Sequence, residues 1–230
     1  MNNLVIYVRH AESEANTIIH KSKSLGKPLT SSQELKIHSY SDPDITHLGI
    51  EQSKATAQYL FDNIKKMNKK HVTVWLSPMK RAQHTGKYFI DLFKDDLITT
   101  KIINELQEFT STKITLEDHH TYLVNHATKE EFFDQIMKFN ELLLDELKNQ
   151  THEPNDHILI IFGHSLFFSS ILSYHIQHEK NKIVEFSSLQ LPNCSISCES
   201  YNFTENKWKT YMVSNISHLP KNIVTGSHVL

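Results

Sequence analysis

Apolar residues in this chain fall into short unbroken runs, separated by longer stretches in which they recur every three or four positions. Residues 3–8 (Asn-Leu-Val-Ile-Tyr-Val) form a β-branched apolar run, the mark of a strand buried on both faces. Residues 72–76, 97–103 and 157–162 read as strands in the same way, and two more strand-like runs lie near 194–202 and 208–213. Helical spacing fills the gaps. Thr46 is suited to cap a helix reaching about residue 68, whose inward face is Ser53, Ala57, Leu60, Ile64 and Met67. Ser77-Pro78 opens a helix over 79–93. Thr128-Lys-Glu-Glu131 has capping-box spacing and starts a helix to about 149, with Phe132, Ile136, Phe139, Leu143 and Leu147 as its buried stripe. A further helix covers 165–177. The polar stretch 17–44 has weak periodicity and reads as loop with one short helix.

Strands alternating with helices of this length predict an α/β fold, a three-layer sandwich with a mostly parallel central sheet flanked by helices. No repeat or composition break divides the chain. It is expected to form a single domain over 1–230, with insertions at about 17–44 and 109–127.

Composition narrows the partners. Hydrophobic residues at 39% and charged residues at 22% suffice for a packed core. Lys+Arg 24 against Asp+Glu 26 leaves a net charge of -2, so no global positive field draws in nucleic acid or an anionic membrane. Any anion must be held by a local pocket. Cys194 and Cys198, four apart on a predicted strand, would sit about 13 Å apart, too far for a disulfide, and read as buried free thiols of a reducing compartment. The N-terminus has no basic leader, and no stretch approaches the roughly 20 apolar residues of a membrane span, so a cytoplasmic protein is expected. Sixteen histidines raise the question of metal, but there is no His-Glu-x-x-His and no zinc-finger spacing. His119-His120 and His175/His178 read as exposed pairs, and neither metal nor cofactor is expected.

Ligands of open α/β sheets bind beyond the carboxyl ends of the strands. Arg9, His10, Glu12 and Asn16 follow the first predicted strand, and Ser77-Pro78 and Arg81 follow the second. Glu105 and Glu108 follow the third; Gly163, His164 and Ser165 follow the fourth. Each group alone is a weak signal. Together they place two arginines, two histidines, an amide and a carboxylate at one rim, a set suited to a phosphoryl group. Such a group in transfer spreads negative charge over three oxygens, which bidentate, permanently charged arginine neutralises well. Two neighbouring guanidinium groups disfavour a further cation and keep His10 neutral, the form able to attack phosphorus. A nearby carboxyl could protonate the leaving oxygen and then activate water.

In this order the motifs resemble the histidine phosphatase superfamily, the phosphoglycerate mutase-like proteins. Arg9-His10-Ala11-Glu12-Ser13-Glu14-Ala15-Asn16 is similar to that family's Arg-His-Gly-Glu-x-x-x-Asn. Asp42-Pro43-Asp44-Ile45-Thr46-His47-Leu48-Gly49 resembles its Asp-Pro-x-Leu-Thr-x-x-Gly, and Ser77 through Thr85 its Ser-x-x-x-Arg-Ala-x-x-Thr. Leu106-Gln107-Glu108 keeps a Leu-x-Glu spacing, Phe162-Gly163-His164-Ser165 corresponds to the second histidine motif, and Trp208 through Leu219 is similar to the closing strand and tail. Ala11 stands where the family has Gly, Phe109-Thr110-Ser111 replaces the glycines that often follow the acid, and the mutase branch's Asn-Glu-Arg-His-Tyr-Gly block and later Arg-Arg pair are missing.

The resemblance implies that His10 is the phosphorylated nucleophile, that Arg9, Arg81 and His164 grip the phosphoryl oxygens, and that Glu108, or one turn away Glu105, is the acid and base. Asn16 and Ser165 are the expected substrate-binding residues, and Glu12 a buried residue orienting the motif. Lys21, Lys23, Lys27, Lys113, His119 and His120 lie in the insertions and read mostly as solvated loop residues. The expected activity is metal-independent hydrolysis of a small phosphorylated metabolite through phosphohistidine. A phosphoglycerate mutase and a non-catalytic phosphometabolite-binding module are the alternatives.

Overall fold

Alternate residues of the central strands are apolar on both sides, so each strand must be covered twice, and the chain supplies helices to both faces. The computed structural model describes residues 2–33, 36, 42–67, 69, 71–93, 98–108, 128–149, 157–177 and 189–226. In chain order these form β1 (Asn2–Arg9), α1 (Glu14–Ser24), α2 (His47–Lys66), β2 (His71–Leu76), α3 (Lys80–Ile90) and β3 (Ile98–Ile102). A 3-10 turn (Asn104–Leu106), α4 (Lys129–Asn149), β4 (His157–Gly163), α5 (Ser165–Gln177), β5 (Ile196–Asn202), β6 (Lys207–Asn215) and a last 3-10 turn (Lys221–Ile223) follow. The six strands make one sheet in the order β3-β2-β4-β1-β5-β6. β1, β2, β3 and β4 run parallel; β5 pairs antiparallel with β1, and β6 antiparallel with β5.

Two apolar layers follow from the pleat. Val5 and Tyr7 of β1, with Leu159 and Ile161 of β4, pack against the α4 stripe of Phe132, Ile136, Phe139, Leu143 and Leu147 and against Phe167, Phe168, Ile171 and Leu172 of α5. Ile6 and Val8, with Ile158, Ile160 and Phe162, face Ala57, Leu60 and Ile64 of α2 and Phe89 of α3. The chain is thus an α/β three-layer sandwich around a mostly parallel sheet. No helix among the described residues is long and apolar enough to cross a membrane.

Local signals act as their chemistry dictates. Thr46 caps α2 by accepting from the Gly49 N–H. Thr128 and Glu131 form the reciprocal capping box of α4, each side chain bonded to the other's N–H at 3.1 Å. Three expectations need correction. The short helix expected within 17–44 starts earlier, at Glu14, and runs to Ser24; Thr17, Ile18 and Ile19 carry little helix propensity, but Ser13 and Asn16 cap it by exchanging side-chain and backbone bonds. Met67 is 47% exposed, because it stands in the C-cap beyond the last packed turn. Cys194 lies in a turn with φ 57, ahead of a strand that begins at Ile196; it and Cys198 are free thiols. The expected 109–127 insertion lies outside the described residues.

Gly49 shows how the fold brings the first motif into place. It sits in the first turn of α2, where an added Cβ would run into the main-chain oxygen of Glu12 and stand 3.1 Å from Ile45 Cβ. The Thr46 N–H donates to that same oxygen at 2.9 Å. Gly49→Ala gains about 1 kcal/mol of helix propensity but forces α2 off the motif at a cost of about 3 kcal/mol, the upper end for overpacking because the clash is with backbone, a net loss of about 2 kcal/mol. Chemical denaturation of the two proteins measures it; an alanine variant of equal or greater stability would show that the close approach does not constrain the chain.

Candidate active site

The carboxyl end of β1 lies between β4 and β5, so whatever β1 delivers there is flanked on both sides. It delivers Arg9 and His10. The His10 N–H donates to the Gly163 carbonyl at 2.8 Å, and the Arg9 N–H to the Ser195 carbonyl at 3.1 Å, tying the motif to β4 on one side and the approach to β5 on the other. Arg81 enters from the first turn of α3, and His164 from the junction of β4 and α5. All four side chains are buried.

The His10 ring is oriented by its neighbour. Nδ1 lies 2.7 Å from the Ala11 carbonyl, an oxygen that can only accept, so Nδ1 carries the proton and Nε2 keeps its lone pair. Arg81 Nε donates to His10 Nε2 at 3.3 Å. The rings of His10 and His164 lie 5.2 Å apart between centroids, and His164 Nε2 is 2.8 Å from Ser77 Oγ. Arg9 is aimed by one main-chain acceptor, the Leu191 carbonyl, 2.5 Å from Nη1. Two buried atoms of this cluster, Arg9 Nε and His164 Nδ1, have no hydrogen-bond partner among the described residues.

Glu108 closes the ring of charges. Its carboxylate accepts from the N–H groups of Leu166 and Phe167 at 3.2 Å each, at the N-terminus of α5, and interacts favourably with both arginines. Glu105 directs no comparable interaction at either arginine; its carbonyl is held by Gln135 at 2.7 Å. Burial lowers the Arg9 guanidinium to about 10, with Glu108 opposing the shift and Arg81 adding to it. Arg81 is lowered by burial as well. His10 and His164 are held well below the ordinary imidazole range, first by burial and then by the positive charge of Arg81. Both are therefore neutral at pH 7. Two buried cations, two neutral imidazoles and one carboxylate leave a local positive excess, a suitable receptor for a multivalent anion.

The surrounding expected residues divide. Asn16 is half-buried in α1, its Oδ1 accepting from Ser13 and Asn193. Ser165 is at the rim, with its hydroxyl donated to the Leu191 carbonyl at 3.4 Å. Glu12 is buried, accepts from Thr46 Oγ1 at 3.0 Å and stands 3.5 Å from His20. Lys21 and Lys27 are exposed. The Lys23 side chain, Lys113, His119, His120 and His178 lie outside the described residues. His175 is no exposed helix residue: its Nδ1 is 2.7 Å from Glu199, its Nε2 3.0 Å from Asn140, and its ring stacks on Trp208, because α5 turns it under the β5–β6 edge. Among the described residues no three His, Cys, Asp or Glu side chains come together as a metal would need.

Several residues of the site have no counterpart in the sequence reading. Leu191, Asn193 and Ser195, on the approach to β5, carry hydrogen bonds to Arg9 and His10. Gln52 and Thr225 brace that segment, and Gly226, at φ +73, lies against Arg9. An isolated Asn, Thr or Gly offers no periodic or motif signal. The Pro-Asn turn ahead of a strand-like run was the single local cue.

Comparison with known proteins agrees with this architecture. The sequence model of the histidine phosphatase superfamily (branch 1) matches residues 5–215. Phosphoserine phosphatase from Entamoeba histolytica, solved with 3-phosphoglyceric acid, has 18% identity and a TM-score of 0.59, covering 94% of this chain and 99% of its own. The ecdysone phosphate phosphatase of Bombyx mori, solved with tungstate, has 19% identity and a TM-score of 0.56, covering 95% of each chain. Mycobacterial glucosyl-3-phosphoglycerate phosphatase, solved with VO3, has 12% identity and a TM-score of 0.59, covering 92% and 98%. No curated protein sequence matches the chain.

The depressed histidines predict a pH dependence of stability. In the unfolded chain each takes up a proton as pH falls through 6.5; in the folded protein His10 and His164 stay neutral, and His218, lowered by burial to about 4, stays neutral to that point. The unfolded state then binds more protons, so stability is complete above 6.5 and falls below it, by about 1.4 kcal/mol per pH unit for each such histidine. Melting temperatures between pH 7.5 and 5.5 should decline, and His10→Asn should flatten the slope by one proton. A Tm constant over this range would contradict the burial of neutral imidazoles.

Proposed function

Because the chain belongs to the histidine phosphatase superfamily, we propose that it is a phosphomonoesterase that hydrolyses a small phosphorylated metabolite through a phosphohistidine, without a metal. The observation that carries this reading is the presentation of His10: its Nδ1 proton is committed to the Ala11 carbonyl, and its Nε2 lone pair faces the guanidinium of Arg81.

A phosphate monoester entering between the arginines exchanges the Arg81–His10 contact for contacts to phosphoryl oxygens. Arg9 Nε and His164 Nδ1, both buried and without a partner among the described residues, are suited to bond the same oxygens. His10 Nε2 attacks phosphorus in line with the leaving oxygen. The N–P bond forms as the P–O bond breaks, and the alkoxide takes its proton from Glu108. A dianion bound between the arginines favours the protonated carboxyl that this step needs. Water then attacks the phosphohistidine, giving a proton to the Glu108 carboxylate, and the N–P bond breaks to give inorganic phosphate and neutral His10. The arginines supply the positive charge that other phosphoryl-transfer enzymes take from metal ions. Asn16 binds the phosphoryl group or the substrate beside it. Ser165 contributes through the Leu191 carbonyl it shares with Arg9.

The mechanism separates the roles of its residues. His10→Ala should abolish turnover, by a factor of 10³ or more for loss of the nucleophile, and with it the acid-labile, alkali-stable phosphate label on the protein. Glu108→Gln should slow alkyl phosphates far more than an activated aryl phosphate, whose leaving group needs no proton. Phosphate-release assays over the two substrate types measure both. Normal turnover in His10→Ala would overturn the phosphohistidine, and equal slowing of both types would remove Glu108 as the acid.

A further inference from the structure

Asn193 is fully buried, 183 residues from His10 in sequence, yet it touches both the nucleophile's backbone and Asn16. Its Nδ2 lies 3.0 Å from the His10 carbonyl and 3.1 Å from Asn16 Oδ1. A main-chain carbonyl can only accept, so the nitrogen end of the Asn193 amide must face His10. Its second N–H then falls on Asn16, which must answer with its oxygen. The Ser13 main-chain N–H, which can only donate, reaches the same Asn16 Oδ1 at 3.3 Å and imposes the same orientation. Two donors thus occupy the acceptor end of Asn16, and the group it retains for a ligand is its NH2.

The far side of Asn193 is braced too. Its main-chain N–H donates to the Thr225 carbonyl at 3.0 Å, and Thr225 Oγ1 donates to Asn193 Oδ1 at 3.2 Å. Gln52 holds Thr225 Oγ1 at 2.8 Å while accepting from the Glu12 N–H at 2.8 Å. Every link is anchored on backbone groups whose polarity is fixed.

We infer that Asn193 is a positioning residue: by holding Asn16 Oδ1 it fixes that amide so that the NH2, and not the oxygen, is presented to the phosphoryl group. An inverted Asn16 would set a carbonyl dipole against an anion. The inference rests on the proposed phosphatase reading and names what makes its phosphate site selective for a hydrogen-bond acceptor.

The test is a double-mutant cycle read by vanadate inhibition and by kcat/KM for an aryl phosphate. Asn16→Ala and Asn193→Ala should each lower vanadate affinity roughly tenfold, the size of one charge-assisted hydrogen bond. In the Asn16→Ala background, Asn193→Ala should cost well under tenfold, only what loss of its bond to the His10 carbonyl brings, since no Asn16 amide remains to orient. A merely structural asparagine would multiply the two losses, and a combined loss near a hundredfold overturns the inference. If Asn193→Ala does not fold, Thr225→Val loosens the same amide and enters the same cycle. Wild-type protein that neither releases phosphate nor binds vanadate would overturn the reading of the site, and the inference with it. Wild-type turnover with multiplicative losses overturns the inference alone.

Discussion

Two guanidinium groups buried at the end of one sheet are the constraint on which the rest depends. Arg9 and Arg81 are 9% and 8% exposed, and a charge taken out of water is tolerated only when its surroundings compensate. Compensation is partial here. Glu108 offsets some of the charge, the Leu191 carbonyl takes one Arg9 N–H, and the His10 ring takes one from Arg81. Both neighbouring histidines remain uncharged, first because they are buried and then because the arginines oppose a third cation. The site is therefore short of negative charge, with two buried cations and two neutral imidazoles around it.

The sheet order explains how a chain of this length holds such a site rigid. β1 is central, with parallel β4 on one side and antiparallel β5 on the other. A parallel neighbour ends where β1 ends, so β4 hands over His164 and the N-terminus of α5, to which Glu108 is bonded. An antiparallel neighbour begins where β1 ends, so the approach to β5 passes beneath Arg9 and His10 and supplies Leu191, Asn193 and Ser195 as supports. One direction of pairing brings functional side chains and the other brings their scaffold.

That division also accounts for what could be read from the sequence. The strands, the long helices and both capping motifs were legible because they are local: apolar runs, three-and-four spacing, and side chains bonded within one turn. Arg9, His10, Arg81, Glu108 and His164 were legible as a group because each follows a strand closely and parallel pairing aligns those ends. A short helix was expected somewhere in 17–44, but its start at Glu14 was blurred by β-branched and polar residues of weak propensity, although Ser13 and Asn16 cap it. His175 was misread because its burial depends on Glu199, Asn140 and Trp208, all from other elements. Asn193 and Thr225 were invisible for the same reason: single polar residues acquire their roles only through contacts with distant parts of the chain.

Gly226 carries this one step further. It adopts φ +73, open to glycine at little cost, and a Cβ there would stand 2.8 Å from both Arg9 Nη1 and Asn193 Oδ1. The tail therefore leaves no room for a side chain between itself and the arginine. Ile223 and Thr225 just before it are bonded to Gln52, whose oxygen accepts from the Glu12 N–H. The first motif and the last described residues thus share one hydrogen-bonded layer. Arg9 is confined by that layer on one side and by Leu191 on another, so its orientation is set before any ligand arrives. Preorganisation of this kind lets a charged group act on developing negative charge without first paying to reorient.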